Sequence, residues 1–404
     1  MRVVIIADFA EPSGGAQAVA LLSALALARQ GAPVTFIQGV AGPVDPRLAK
    51  AGIDIVSLGL QDVWSLPGPR AAAAGIWSAK AHQRTEAALA RLPAGPVILH
   101  LHLWTRSLSP SVFPALLASQ HPLALTLHDY FSACPNGVYY RFDRGEPCEL
   151  TPLSLACIAA PCDPRSMAHK VVRVIRTAAL RAALRGARFD VIHVSDRGRD
   201  TIAPFLPRAL RQHRIDNPVQ AERRPPARLP HGGPIAFLGR LTREKGADIV
   251  AAAGEAAGVP VLFVGEGPAE AEIRRLSPSA AILGWRPRAE VDRILRKEVR
   301  AVAAPSRWYE TGPLTVYEAM AAGVPPVVSS RAGAAEKVEH GRTGLIVEPD
   351  VASLAAAFRA LAEGVTASRM GALGYERYWQ APLDAETHAR NLIDLYTGML
   401  SGPA

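Results

Sequence analysis

The segment Pro305-Ser306-Arg307-Trp308-Tyr309-Glu310-Thr311-Gly312-Pro313-Leu314-Thr315-Val316-Tyr317-Glu318-Ala319-Met320-Ala321-Ala322-Gly323-Val324-Pro325 joins two short apolar runs, Ala301–Ala304 and Pro326–Val328. Both runs read as buried strands. The segment between them reads as a loop carrying Glu310 and then a helix that begins at Thr311–Pro313, where proline suits the first turn. Strand, helix and strand in that order form a βαβ unit, which implies a parallel sheet.

The same alternation extends outward in both directions. Pro234–Leu238, Pro260–Val264, Ala280–Leu283 and Gly344–Val347 read as further strands of one set. Val3–Ile6, Val34–Ile37, Ile53–Val56, Val97–His102, Leu123–Leu127 and Val191–Val194 read as another. Between them the pattern breaks in a Pro- and Arg-rich stretch, Glu222-Arg223-Arg224-Pro225-Pro226-Ala227-Arg228, with no apolar period to bury. The expected organisation is a first domain over 1–216, with a Cys-containing insertion at 131–165, a linker over 217–233, and a second domain over 234–378. The tail 379–404 is amphipathic through Leu383, His388, Leu392, Ile393, Leu395 and Tyr396. Two parallel-sheet domains of similar size should face each other across a cleft at the carboxyl ends of their strands, where open sheets bind ligands.

Composition bounds the function. With 404 residues, 49% apolar and 20% charged, the chain has material for two cores and is not disordered as a whole. No apolar run approaches the ~18 residues of a membrane helix, and Met1–Asp8 reads as a strand, not a leader. The expected location is cytoplasmic. The net charge of +9 favours anionic partners. Lys and Arg are spread along the chain without a recognition motif, which argues against nucleic acid. A P-loop is absent, and Gly265-Glu266-Gly267-Pro268-Ala269-Glu270 lacks the third glycine of a dinucleotide fingerprint.

Four strand ends of the second half carry chemistry. Phe237-Leu238-Gly239-Arg240-Leu241-Thr242-Arg243-Glu244-Lys245 places two cations, Arg240 and Lys245, at the mouth of the sheet, a fork and a point charge for phosphate oxygens. Gly265 and Gly267 form a tight turn after one strand, and Gly284-Trp285 closes another. Beyond Ala304, the helix start at Gly312, Pro313 and Leu314 offers backbone N–H groups to an anion. Glu310 and Glu318 stand on either side of that start, able to accept hydrogen bonds from hydroxyls. Taken singly, Glu310 and Glu318 would be solvated acids and Arg240 and Lys245 surface cations.

Acid, seven residues and a second acid, with Arg and Lys upstream, resembles the retaining GT-B glycosyltransferases of glycosyltransferase family 4. In the first half, Gly14-Gly15-Ala16-Gln17 looks like the family's glycine loop, Val97–Trp104 like its fourth strand, and Thr126-Leu127-His128-Asp129-Tyr130 like its His-Asp strand end. The resemblance implies the GT-B fold: two Rossmann-like domains, with the last helix crossing back to the first. It implies a UDP- or GDP-sugar donor held mainly by the second domain and transfer to a glycan or lipid-linked acceptor hydroxyl without a catalytic cofactor or metal. By family role Arg240 and Lys245 neutralise the diphosphate, Glu310 binds the sugar, Glu318 the ribose, and Gly312–Leu314 the distal phosphate. The base lies near Trp285, His128 faces the reacting sugar, and Gly14 and Gly15 approach the phosphate or acceptor. Building of a cell-surface polysaccharide or glycolipid is the implied setting. A non-catalytic nucleotide-sugar-binding assembly partner and a GT-B phosphorylase or epimerase are the alternatives.

Two features fall outside that resemblance. Cys134, Cys148, Cys157 and Cys162 cluster in one Pro-rich segment; a structural Zn(Cys)₄ knot would explain the clustering, and buried free thiols are the alternative. From Arg165 to Arg188 seven basic residues (Arg165, Lys170, Arg173, Arg176, Arg181, Arg185, Arg188) occur without an acid. With Val171, Val174, Ile175, Ala178, Leu180 and Leu184 between them they predict a basic amphipathic helix. It reads either as an ordinary half-exposed helix or as a peripheral contact with an anionic membrane surface.

Overall fold

Parallel pairing organises both halves of the chain. The computed structural model describes residues 1–12 and 14–401. Its first sheet contains β1 (Arg2–Ala7), β2 (Val34–Val40), β3 (Asp54–Leu60), β4 (Val97–Leu101) and β5 (Leu123–Leu127). A short antiparallel hairpin of β6 (Tyr140–Arg141) and β7 (Glu146–Pro147) stands apart. The sheet is completed by β8 (Asp190–His193) and β9 (Arg211–Arg214), in the order β3-β2-β1-β4-β5-β8-β9. The second sheet contains β10 (Ile235–Leu238), β11 (Val261–Val264), β12 (Ala281–Ile282), β13 (Ala301–Ala304), β14 (Pro326–Ser329) and β15 (Leu345–Val347), ordered β12-β11-β10-β13-β14-β15.

The central strands are apolar throughout because helices cover both faces. In β1, Val3 to Ala7 are all fully buried, paired as Val3↔Val34 on one side and Val3↔Ile98 on the other. The strand order reverses at β1 and again at β10, so each domain has its crevice at the carboxyl end of those strands. The helix Ala385–Ser401 returns to the first domain, where Ala389, Leu392 and Tyr396 enter the same core as Val3, Ile5 and Leu21. Two polar contacts fix it there: His388 Nε2 to Ser23 Oγ at 2.8 Å and Tyr396 Oη to His100 Nδ1 at 2.6 Å.

Three local features differ from the sequence reading. The helix after Glu310 is regular over Leu314–Ala322, beginning after Pro313 and not at Thr311. Strand β9, Arg211-Gln212-His213-Arg214, has no apolar signature. It is held at the sheet edge by backbone pairing and by Arg211 and His213 on the buried Asp190, at 2.6 and 2.7 Å. The β6–β7 hairpin inside the insertion likewise lacks alternation long enough to read.

The carboxyl edges of the two domains touch. Trp308 is buried in the first domain's core, edge-on to Tyr130 at 6.5 Å between centroids. Thr311 Oγ1 donates to the His128 carbonyl at 2.9 Å, and Glu336 accepts from the Asp196 and Arg197 amides at 3.2 and 2.6 Å. Among the described residues no helix is long and apolar enough to cross a membrane.

Candidate active site between the two sheets

On the second domain's edge, three glycine turns nest against one another. Gly239 and Gly265 have φ of +138° and +141°, a region open to glycine. A Cβ on Gly265 would lie 2.0 Å from the Gly239 carbonyl oxygen, and one on Gly267 2.3 Å from that of Leu241. This close approach lets Leu241 N–H donate to Glu266 and Gly265 N–H to Gly284, both at 2.9 Å, extending the sheet past its regular strands. Arg240 therefore leaves the sheet mouth on a rigid turn; it is exposed and in no ion pair among the described residues. Trp285, whose N–H donates to Glu266 at 3.3 Å, presents an open ring.

Lys245 and Glu310, 65 positions apart, form a direct ion pair. Adjacent strands bring them together: Gly246 packs on Pro305, which follows β13. Ser306 Oγ donates to the second carboxylate oxygen of Glu310, and the Trp308 ring lies 5.3 Å from Lys245 Nζ, within cation–π range. Glu310 is thus buried, and both of its oxygens are engaged. Thr311 is buried and Gly312 half-buried beside it, and the N–H groups of Leu314 and Thr315 open the helix as first-turn donors without intrahelical acceptors. Further along that helix Glu318 accepts from Arg288 at 2.8 Å. Arg288 was missed by sequence reasoning; it lies on another helix, and no motif marks it.

The first domain's edge gathers three histidines beside two carboxyls. His100 is held between Tyr396 and Thr126 Oγ1, the latter at 2.7 Å, and His102 Nδ1 meets His128 Nε2 at 3.0 Å. The rings of His100 and His102 lie 4.1 Å apart. Burial pushes all three imidazoles down, His128 to about 3, with the neighbouring His388 adding to the effect. Asp129, next in the chain, is driven the other way by burial, to about 6. Gly14 precedes the helix Gly15–Arg29 that follows β1. Asp8, also missed by sequence reasoning, is buried at the end of β1. It accepts from the amides of Arg106, Ser107 and Leu108 and from Ser107 Oγ, which pins the loop after β4 to β1. Burial dominates these bonds and raises its carboxyl above the usual range.

Beside Glu310 opens a cleft of about 540 Å³, walled by Tyr139, Phe205, Thr201 and Asp196 of the first domain and by Tyr309 and Glu336 of the second. Tyr139 holds φ of +47°, which is costly for a bulky residue. Sequence reasoning had no route to this cleft, because its walls come from distant segments.

Two sequence expectations need correction. Cys134, Cys148, Cys157 and Cys162 are all buried free thiols, yet among the described residues no three metal-ligating groups converge as a metal site. The position a metal would take is contested by Lys170, whose Nζ lies 3.0 Å from Cys162 Sγ and 3.9 Å from Cys157 Sγ, and by Asn136, which bonds Cys134 and Cys162. Burial raises the Cys134 thiol to about 11. The basic helix, regular over Met167–Ala183, has a mixed inner side: Lys170 and Arg176 are buried there together with Leu180, while Val171, Ile175 and Arg181 face out.

Two parallel-sheet α/β domains meeting at their carboxyl edges, with the last helix returned to the first, define the GT-B fold. Sucrose-phosphate synthase from Thermosynechococcus elongatus superposes over 99% of both chains with a TM-score of 0.71 at 20% identity. Anabaena HepE in complex with UDP and glucose superposes over 98% of this chain and 100% of that one, TM-score 0.68 at 17% identity. WaaG, a glycosyltransferase involved in lipopolysaccharide biosynthesis, superposes over 98% and 100%, TM-score 0.65 at 14% identity.

Residues 233–364, in the second domain, match the family model of glycosyl transferases group 1. Glycogen synthase of Mycobacterium tuberculosis is 32% identical over 203 residues, 46% of this chain and 49% of that protein. The match thus spans about half the length of the curated relative.

Proposed function

We propose that the protein is a glycosyltransferase that moves a sugar from a nucleotide diphosphate to an acceptor hydroxyl with retention of configuration. The Lys245–Glu310 pair carries this reading. A buried carboxylate held on both oxygens by Lys245 and Ser306 is a fixed acceptor beside the free Arg240 and the open helix start at Leu314. An ammonium has three donors; Glu310 takes one, which leaves Lys245 able to bind phosphate oxygens while Glu310 orients it.

In this reading the diphosphate lies between Arg240, Lys245 and the amides at Gly312–Leu314. Glu310 receives sugar hydroxyls and Glu318 the ribose, steadied by Arg288. As the bond from the anomeric carbon to the phosphate oxygen breaks, negative charge grows on the departing phosphate, where the two cations and the helix start stabilise it. That phosphate takes the proton of the incoming hydroxyl on the same face, so the chain supplies position and field and no nucleophile. His128, kept neutral by burial, lends a hydrogen-bonding edge without adding a charge that would repel an oxocarbenium-like centre. Gly14 and Gly15 let backbone approach the phosphate or acceptor, and Trp285 offers its open ring to the base.

The UDP and glucose of the HepE complex support a uridine donor as the first to try, and the WaaG likeness supports a cell-surface glycan as acceptor class. Thermal shift against UDP-glucose, GDP-mannose and ADP-glucose, followed by nucleotide release with candidate acceptors, tests the reading. One donor should raise the melting temperature by mass action, and Glu310→Ala should lower its turnover by about 10²–10³ while the fold persists. No shift with any nucleotide sugar, or undiminished turnover in Glu310→Ala, overturns it.

A further inference from the structure

Lysine is seldom fully buried unless a carboxylate pairs with it, and Lys170 breaks that rule. It is 1% exposed in the first turn of the helix Met167–Ala183. Among the described residues its amine meets two thiols and no carboxylate: Cys162 Sγ at 3.0 Å and Cys157 Sγ at 3.9 Å. Asp163, next to Cys162 in the chain, is taken by Arg173 at 3.0 Å. Sulfur is a weak acceptor, so as a hydrogen bond this contact offsets little of the cost of burying the amine.

The four cysteines are not equivalent. Burial pushes up the thiols of Cys134 and Cys148, Cys134 to about 11, and Cys134 donates to Asn136 Oδ1 at 3.1 Å. Cys162 accepts from Asn136 Nδ2 at 3.4 Å as well as from Lys170, which fixes its sulfur in front of the amine. It is 4% exposed between the exposed Pro161 and Pro164, just beneath the surface, where a small oxidant reaches it.

We infer that Lys170 and Cys162 form an oxidative cross-linking site, at which dioxygen joins Nζ to Sγ through one oxygen atom as an N–O–S bridge. The S–H and one N–H of the neutral amine are lost, and an S–O and an N–O bond form. The O–O bond breaks, and the second oxygen leaves with the two hydrogens as water. Sulfur and nitrogen each give up two electrons, and dioxygen takes all four. Two bonds through one oxygen suit groups already held at 3.0 Å, whereas a direct S–N bond requires them to draw together. Fixed proximity of this kind favours the step. The bridge ties the helix Met167–Ala183 to the insertion, which also supplies Cys148, Glu149 and Leu150 to the wall of the cleft beside Tyr309. Oxidation then stiffens that wall.

The test uses the full-length protein, purified under nitrogen, freed of reductant and divided, one half being exposed to air. Intact mass of the exposed half should gain one oxygen and lose two hydrogens, dithiothreitol should reverse the change, and peptide mapping should join Cys162 to Lys170. The bridged form should melt at a higher temperature, since a cross-link constrains the unfolded chain. Lys170→Gln and Cys162→Ser should each abolish the mass change, and Cys157→Ser should keep it. Melting curves check the fold; if Lys170→Gln does not fold, the peptide map of wild type and the Cys157→Ser result decide. Loss of two hydrogens without added oxygen, the mark of a disulfide or a direct S–N bond, overturns the inference. So does an added oxygen without loss of hydrogen, an unchanged mass in air, a bridge that persists in folded Lys170→Gln, or one equivalent of zinc in the purified protein. The readout is a mass and does not rest on the glycosyltransferase reading.

Discussion

The two sheet edges that face each other were made from opposite materials. The second domain's edge is ionic: Lys245 with Glu310, Arg288 with Glu318, and Arg240 unpaired among the described residues. The first domain's edge gathers three imidazoles, His100, His102 and His128, kept neutral by burial, with the carboxyls of Asp8 and Asp129 beside them. An anion would be attracted to the cations of the second domain and would meet neutral imidazoles and carboxyls, with no such cation pair, on the other side. That asymmetry fits a donor fixed by one domain and a reacting end presented to the other.

Breaking the ionic edge should have the largest effect. Glu310→Ala and Lys245→Ala should each lower kcat by about 10²–10³, the scale for losing one group that stabilises transition-state charge. Circular dichroism should be unchanged, since both residues lie at the sheet rim. Next comes Glu318→Ala, which should raise donor KM roughly 10- to 100-fold with a smaller change in kcat, because a hydrogen bond to a charged group is worth about 1.5–3 kcal/mol. A steady-state titration of donor separates the two cases; equal kcat losses in all three variants would erase the division of roles.

The histidine edge is tested by pH. His128 is lowered to about 3 and His388 and His193 to about 4, each mainly by burial, while an unfolded chain takes up those protons near 6.5. Between those values the unfolded state binds more protons, so stability should fall as pH drops from about 6.5 towards 4. Asp129, raised to about 6, works against this in the window from about 4 to 6, where its protonated native form loses stability as pH rises. His100 and His102 are lowered as well and Asp8 is raised, so five histidines stand against two carboxyls and outweigh them. Urea midpoints at pH 7, 5.5 and 4.5 should fall in that order, with a shallower slope in His388→Gln; a flat profile would mean that the histidines are not buried in solution. The smallest effect belongs to the seam between the edges. Thr311→Val removes its bond to the His128 carbonyl and should cost about 1 kcal/mol, read from the same midpoints.

Much of this was legible along the chain, and unevenly so. The strands Leu123–Leu127 and Ala301–Ala304 stand where their apolar runs lie, because a strand buried on both faces has no other composition available. The candidate residues Arg240, Lys245 and Glu310 could be singled out because they follow strand ends that periodicity marks, and Glu318, inside the helix Leu314–Ala322, by its spacing from Glu310. Strand β9 was illegible because its pairing with β8 rests on backbone and on Asp190, not on apolar side chains. Arg288 was illegible because its partner, Glu318, lies 30 positions away. The helix start was placed early, at Thr311, since a proline pattern alone does not fix where the first turn closes.

The basic helix shows where pattern reading holds for one half, with Leu180 buried and Arg181 exposed, and fails for the other, with Lys170 buried and Val171 exposed. Spacing located a helix between Arg165 and Arg188 and separated its two faces, and the actual segment is Met167–Ala183. Which face turned inward depended on what waited beneath it: thiols, Asp163, Phe131 and a carbonyl, all from the insertion. Local composition determined the two α/β halves, the linker between them and the residue types at each strand end, because periodicity and backbone propensity act over a few residues. The Lys245–Glu310 contact, the neutral histidine stack, the cleft beside Tyr309 and the burial of Lys170 and Arg176 were decided only when distant segments met, because charge pairing and burial depend on separation in space and not along the chain.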